Sequence, residues 1–452
     1  MIEGLKPYGE YRESGQGWLG CCPQHWALRR TKTLFRERAQ KGFPNEPLLA
    51  ATQTKGVVRK EDYGTRTVTA QKDLHLLKLV EPGDFVISLR SFQGGIEVAH
   101  HRGIISPAYT VLVPKNEAAS GYFKHFFKSR QFIDSLSLFV TGIREGQNID
   151  YERLSRAEMP LPPPDEQAAI VRFLDHANRK IDGFIRAKKK LIGLLNEQKQ
   201  AIIHRAVTRG LNPDVPLKPS GIPWLGKIPE HWETPLLRQV FRENIRSHNG
   251  KPERQLSLSQ RDGLVATDEM QERSLQTSSF DNWKVTIPGD LVLNRFKAHL
   301  GVFFAATLRG IVSFHYGVFA PQRPLNTKYF ELLFHTVPYK TIFAGRSNGM
   351  TVGLQNLSNQ NFYGVRAIVP TVHEQNEIVS FAETRTAHLS TAITRTNHEI
   401  ALMQEYRTRL TADIVTGKLD VREAAAKLPE LPAEAEPEAI VDEPEAEDSD
   451  ES

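Results

Sequence analysis

The chain is written twice. Trp18-Leu19-Gly20-Cys21-Cys22-Pro23-Gln24-His25-Trp26 returns as Trp224-Leu225-Gly226-Lys227-Ile228-Pro229-Glu230-His231-Trp232, and the same offset of 206 carries Gly4-Leu5 onto Gly210-Leu211 and Phe35-Arg36-Glu37 onto Phe241-Arg242-Glu243. The match continues from Pro82-Gly83-Asp84 to Pro288-Gly289-Asp290, drifts to 207 at Arg102-Gly103-Ile104 and Arg309-Gly310-Ile311, and reaches 208 at Glu166-Gln167 and Glu374-Gln375. Solenoid repeats recur every 20 to 50 residues, so a period this long describes two globular copies in tandem. Whatever one copy contacts, the chain contacts twice.

At 452 residues each half can bury a core of its own. The only cysteines, Cys21 and Cys22, are adjacent and are replaced by Lys227 and Ile228 in the second copy. A disulfide framework is therefore excluded and a reducing compartment is expected. No second Cys pair or His-x-x-His completes a metal site around them, so no metal is expected. The sequence shows no signal-peptide pattern and no apolar run long enough for a membrane span, which predicts a cytoplasmic protein without membrane contact.

The net charge of +5 hides a segregation: Pro432 to Ser452 holds ten acidic residues and no Lys or Arg, and removing it leaves 58 basic against 43 acidic residues. A folded body with that surplus favours a polyanionic partner, double-stranded DNA first. The Ala-, Glu- and Pro-rich tail (426–452) cannot bury enough apolar surface to fold and is expected to be disordered. Two roles stand open for it, screening the basic body from nonspecific DNA or simply solubilising it.

Within each half a mixed α/β part precedes a long helix. Pro-Gly-Asp turns feed the apolar runs Phe85–Leu89 and Leu291–Leu293, which read as strands, as do Tyr109–Val113 and Tyr316–Ala320. Helices are expected at Tyr122–Ser135 and Lys328–Ala344. Pro162-Pro163-Pro164-Asp165-Glu166 and Pro370 to Glu374 then give the proline and early acidic residue of a helix start. No proline follows until Pro213 or Pro429, so each helix can run about 40 residues, roughly 60 Å. The expected division is 1–164 and 210–372 for the globular parts, 165–209 and 373–425 for the helices.

In one register the helices place Ile181, Ile185, Lys188, Ile192, Leu195, Lys199, Ile202 and Ala206 against the positions of Leu389, Ile393, Thr396, Ile400, Met403, Arg407, Leu410 and Ile414. Alternating spacings of three and four, with polar exceptions at the same two places, predict a coiled-coil pair. Two helices packed separately would instead need broad apolar faces. Antiparallel pairing would hold the globular parts apart, by roughly 50 Å against about 34 Å per turn of DNA, and so act as a ruler. Leu191, Leu194, Ile400 and Leu402 are the expected outer apolar contacts.

Catalytic signatures are missing: there is no phosphate loop, no G-x-G-x-x-G turn, and His373-Glu374-Gln375-Asn376-Glu377 lacks the second His of a zincin. No catalytic, cofactor-binding or metal residue is assigned. The candidate DNA contacts are Arg90, Gln93, Arg144, Gln147 and Asn148 in the first copy and Arg295, Lys297, Arg346, Asn348, Gln355 and Asn356 at matching places in the second. Arg and Lys suit guanine edges or phosphates, Asn and Gln suit adenine. Trp18-Leu19-Gly20 and Trp224-Leu225-Gly226 read as packing anchors rather than base-stacking platforms.

The chain resembles the specificity subunits of type I restriction-modification enzymes. The resemblance rests on Gly4-Leu5-Lys6-Pro7, on Trp-Leu-Gly and Pro-x-His-Trp in both copies, and on Pro163-Pro164-x-Glu166-Gln167; the second copy departs at Pro370 to Glu374, where the double proline is lost. It implies two target recognition domains that read the halves of an asymmetric bipartite site, and helices that set the gap. It further implies two modification subunits that methylate adenine with S-adenosylmethionine and two restriction subunits that use ATP and Mg to translocate and cut. This chain would then be non-catalytic. A standalone bipartite DNA-binding regulator is the alternative.

Overall fold

The structure is a computed structural model and describes residues 5–53, 55–63, 73–89, 91–116, 119–141, 148–222, 225–244, 246–248, 252–260, 263–269, 280, 282–349 and 355–429. It divides into two compact units, Met1–Ala187 with His398–Ser452, and Lys188–Asn397. Each long helix is shared between them, so each unit consists of one globular part, the first half of its own helix and the second half of the other.

In the first unit β1 (Phe35–Arg38), β2 (Phe85–Ile87), β3 (Glu97–Val98) and β4 (Thr110–Pro114) form an antiparallel sheet in the order β1-β4-β2-β3. The helices α1 (Ser120–Phe126) and α2 (Arg130–Ser135) cover it, and α3 (Pro164–Arg209) is the long helix. The second unit repeats the plan with β5 (Phe241–Glu243), β6 (Leu291–Asn294), β7 (Phe303–Ala305) and β8 (Tyr316–Pro321) in the order β5-β8-β6-β7. Its helices are α4 (Thr327–Phe334), α5 (Val337–Arg346) and the long α6 (Val372–Val415). All four expected strands are present.

The Pro-Gly-Asp turns work alike in both copies. Gly83 and Gly289 adopt φ of +87° and +93°, a region closed to most side chains. Asp84 accepts from Arg38 Nε at 2.8 Å, and Asp290 from Arg246 Nη1 at 2.5 Å. The repeated arginines do likewise, Arg102 pairing with Glu46 and Arg309 with Glu253, each at 2.8 Å.

The two single helices expected over 122–135 and 328–344 are each broken in two. Ser129 and Thr336 take extended backbone angles, and their hydroxyls fold back onto the carbonyls of Phe126 and Leu333, both at 2.7 Å. A side-chain hydroxyl that satisfies a helix-terminal carbonyl offers the chain an alternative to continuing the helix. The second long helix also ends earlier than 425, at Val415. Gly417, at φ +79°, turns the chain where any Cβ would strike Pro23 at 2.3 Å, and a short α7 (Arg422–Ala426) follows.

All sixteen seam positions of the long helices are buried or half-buried. Antiparallel pairing is visible inside each unit: Asp182 meets Arg407 while Ile170, Phe173 and Leu174 share a core with Leu410 and Ile414. In the second unit Lys199 Nζ donates to Ser390 Oγ at 2.9 Å while Ile203 and Val207 pack with Ile378 and Ala382. Two of the polar exceptions thus pair with a neighbour on the other helix rather than with each other. Leu191, Leu194 and Leu402 are exposed, as expected of outer contacts, but Ile400 is not: it fills the seam at 8 % exposure.

Candidate nucleic-acid interface

The duplicated motifs converge on one carboxylate in each copy. Glu166, two residues into α3, accepts hydrogen bonds from Trp26 Nε1 and His25 Nε2, both at 2.8 Å, and from the Tyr8 hydroxyl. Glu374 of α6 accepts from His231 at 2.8 Å, Trp232 at 3.2 Å and the Thr371 hydroxyl at 2.9 Å. An acidic side chain in the first turn suits the helix dipole, and here it also clamps the globular part to the helix. Burial and the bond to Glu166 push the Tyr8 hydroxyl far above its ordinary range. Burial alone would raise Glu374, but the hydrogen bonds from His231, Thr371 and Trp232 hold it below the usual carboxylate value. The glutamines behind repeat as well, Gln167 donating to Pro162 O at 2.7 Å and Gln375 to Pro370 O at 2.9 Å.

A second repeated contact closes each globular part onto the other copy's helix. The Tyr122 hydroxyl donates to Val415 O at 2.8 Å at the end of α6, and Tyr329 donates to Val207 O at 3.0 Å near the end of α3. Each body is therefore held at two helix ends by the same residues. Trp18 packs against the rings of Phe126 and Phe132, which bears out an anchor; Trp224 lies outside the described residues. Cys21 is exposed and Cys22 buried, and neither is in a disulfide.

The loop candidates lie on other elements than these clamps. In the first copy Gln93 is exposed on the helical turn Ser91–Gly94, which touches the short strand Asn148–Ile149. Arg90, Arg144 and Gln147 lie outside the described residues. In the second copy six candidates share one neighbourhood. Arg295 and Lys297 lie on the 3-10 helix Arg295–Leu300 that packs on α5, and Arg346 is exposed in the last turn of that helix. Asn348 and Asn356 pair through their backbones at 2.9 and 2.8 Å, and Leu357 N–H donates to Arg295 O at 3.0 Å. Asn361 Nδ2 ties Arg346 O at 2.7 Å to Asn348 Oδ1 at 3.3 Å. Gln355 is half-buried, its Oε1 without a partner among the described residues.

Arg295 differs from the expectation. Its guanidinium is committed inward to Glu243 at 2.8 Å, and Glu243 also takes Lys284 at 3.2 Å and Asn359. This mostly buried ion pair ties down the loop that carries Lys297. Glu243 was within the repeated Phe-Arg-Glu element, but its role as a hub depends on long-range partners that no local pattern announces. The pairing of His25 and Trp26 with Glu166 could have been inferred, since both ends of the contact recur together in both copies.

Among the described residues no group of three or more His, Cys, Asp or Glu could hold a metal ion, and no helix is long and apolar enough to cross a membrane.

No family profile matches the chain. It is 23% identical over 395 residues to the type I restriction enzyme EcoKI specificity subunit of Escherichia coli (strain K12), covering 78% of this chain and 82% of that one. Among solved structures it matches a chain from work on the complex assembly and conformational transition of the type I restriction-modification system, with a TM-score of 0.59 at 14% identity, over 87% of this chain and 98% of that one. An HsdS subunit from Thermoanaerobacter tengcongensis matches with a TM-score of 0.42 at 15% identity, over 90% and 99%. The chain is a duplicated α/β protein with two long helices, and it is similar to a specificity subunit of a type I restriction enzyme.

Proposed function

We propose that this chain chooses the DNA sequence for a type I restriction-modification complex, each globular part reading one half of an asymmetric bipartite site while the long helices set the gap. The observation that carries the reading is a frame that repeats and a loop surface that repeats only in part. The His-Trp-Glu clamp and the Tyr-to-Val carbonyl contact recur in both copies. The loop candidates repeat only in part: Gln147-Asn148 returns as Gln355-Asn356, but Gln93 gives way to His299, Lys297 and Asn348 stand where the first copy has Ser91 and Thr141, and Arg346 joins them on the second copy alone. A common frame with divergent readers is what two unlike half-sites require. Arg90, Arg144 and Gln147 complete the set.

The exposed Leu191, Leu194 and Leu402 are the docking contacts for modification subunits, two in number, which would bring S-adenosylmethionine and methylate adenine. Two restriction subunits would supply ATP- and Mg-dependent translocation and cleavage, leaving this chain without a catalytic step of its own.

The test is adenine methylome sequencing of cells with and without the gene, in the presence of the modification subunit. Loss of methylation at one split, asymmetric motif is the expected result. An unchanged methylome in an otherwise active system would overturn the reading, and a palindromic motif would overturn the asymmetry.

A further inference from the structure

A strip of basic side chains without ion-pair partners among the described residues lies in the first unit. The strand Ala27–Arg30, the turn Thr31–Leu34 and β1 follow one another and expose Arg29, Arg30, Lys32 and Arg36. Lys115 joins them, its Nζ bonded to Lys32 O at 2.9 Å and its N–H to Leu34 O at 2.8 Å. Among the described residues Arg29, Arg30, Lys32 and Arg36 have no ion-pair partner, in a unit where Arg38, Arg102 and Lys128 all have one. Residues 27–41 hold six basic side chains and one acidic, whereas the matching 233–247 hold three and two, with Pro235 and Leu236 in place of Arg29 and Arg30. The strip is a property of one copy.

That same unit holds the root of the acidic tail. Val421, Ala424 and Ala425 are buried in one core with Trp26 and Phe35, and Arg172 donates to the carbonyl of Leu428. From there the ten acidic residues between Pro432 and Ser452 follow with no basic one. Twenty or so residues span up to about 70 Å, while a body of this size has a radius of gyration of about 18 Å, so the strip is within reach. Tethering also gives the tail an effective concentration on the order of millimolar.

We propose that the segment Pro432–Ser452 occupies the strip formed by Arg29, Arg30, Lys32, Arg36 and Lys115, and there competes with DNA phosphate. Its occupancy is independent of the function proposed above; its consequence for DNA rests on that function. The tail lowers affinity for DNA in general, and a specific site displaces it because base contacts add to the phosphate contacts.

Two measurements on the full-length chain test this. Carbodiimide coupling at 50 mM salt, read by peptide mass spectrometry, should join tail carboxylates to Lys32 and Lys115. The links should vanish at 0.5 M salt and in a variant with all ten tail acids changed to Gln or Asn. Links confined to lysines of 188–397, or none, would overturn the proposal. Binding of a 30-base-pair DNA lacking the methylated motif should tighten about tenfold in the amide-tail variant, and R29Q/R30Q/K32Q/R36Q/K115Q should erase that gain. An equal gain with and without the strip would overturn it. Should the DNA reading itself be wrong, cross-links would persist while neither variant altered DNA binding.

Discussion

At one register of the repeated sheet the two copies solve the same packing problem with opposite chemistry. Glu97 faces Val86 across the first sheet and is reached by Lys128, which also donates to Gln53 O at 3.0 Å and Gly94 O at 2.8 Å. In the second copy Phe304 faces Val292, and His335 lies against its ring with centroids 5.0 Å apart. A buried ion pair has become an aromatic contact. Lys128 staples the turn that carries Gln93, so the first copy holds that loop by charge, and the second holds the equivalent region with His335, which lies against Phe304 and hydrogen-bonds the backbone at Gly301 and Phe303. The frame fixes where the loops leave the body and leaves each copy to secure them in its own way, so the loops can differ without disturbing the frame.

The difference gives the units opposite responses to acid. Burial pushes Glu97 up to about 7 against the opposing pull of Lys128, and burial pushes His335 down to about 4. A carboxyl raised in the folded state contributes most below its unfolded value, and that contribution fades as pH rises through 7. A histidine lowered in the folded state loses its contribution as pH falls from 6.5 through 4. Between pH 7 and 5 the first unit should gain about 2 kcal/mol and the second lose about 2 kcal/mol. Hydrogen exchange read separately on peptides of each unit measures both slopes; parallel slopes would break the comparison.

Lys128→Met should destabilise the first unit by about 3 kcal/mol above pH 7, because a carboxyl group that is 3 % exposed loses its cation and must take up a proton to stay buried. Introducing the second copy's pair, Glu97→Phe with Lys128→His, should recover most of that loss. Chemical denaturation followed by exchange in the first unit tests both; a double variant no better than Lys128→Met would mean the two sites are not interchangeable.

How much of this was legible in the sequence follows from which contacts are local. The duplication, the strands after Pro-Gly-Asp and the sixteen seam positions all show as periodicity or repetition, and they are where the sequence predicted them. The breaks at Ser129 and Thr336 were missed because a single hydroxyl decides them against a continuous apolar pattern. The ion pair of Arg295 was not legible for a different reason: an arginine after a strand looks the same whether it faces solvent or a glutamate 52 residues away. Loop candidates are the least legible, since reading DNA leaves no period. The strip at Arg29 to Arg36 carried a signal, six basic residues against one acidic over 27–41, but averaging charge over the whole body concealed it.

The helix clamps give the next comparison. Glu166 is 3 % exposed and roofed by Tyr8, with Arg422 over the tyrosine ring at 5.5 Å; Glu374 is 28 % exposed, and the residue matching Tyr8 is Asp214. The roof in the first copy comes from the two ends of the chain, where Lys6 pairs with Asp420, N–H to carbonyl at 2.7 Å. In the second copy the chain simply runs on from α3 into Leu211. Glu166→Gln should therefore cost about 2 kcal/mol and Glu374→Gln about 1 kcal/mol. Thermal unfolding of the two variants checks the ranking, and equal losses would show that burial of the carboxylate does not set the strength of the clamp.

The smallest effect belongs to the helix pair. Asp182 and Arg407 are each about a third exposed, at 38 % and 33 %, so water screens them, and Asp182→Asn should change stability by no more than about 0.5 kcal/mol. Ile400→Ala in the same seam removes a buried side chain and should cost several times more, about 3 kcal/mol. Register is a separate matter from stability. If the polar pairs specify alignment rather than strength, Asp182→Asn should leave unfolding nearly unchanged yet broaden the distance distribution between spin labels placed at Arg186 and Met403. An unchanged distribution would assign register to the apolar seam alone, and the polar exceptions at Lys199 and Arg407 would then be tolerated rather than used.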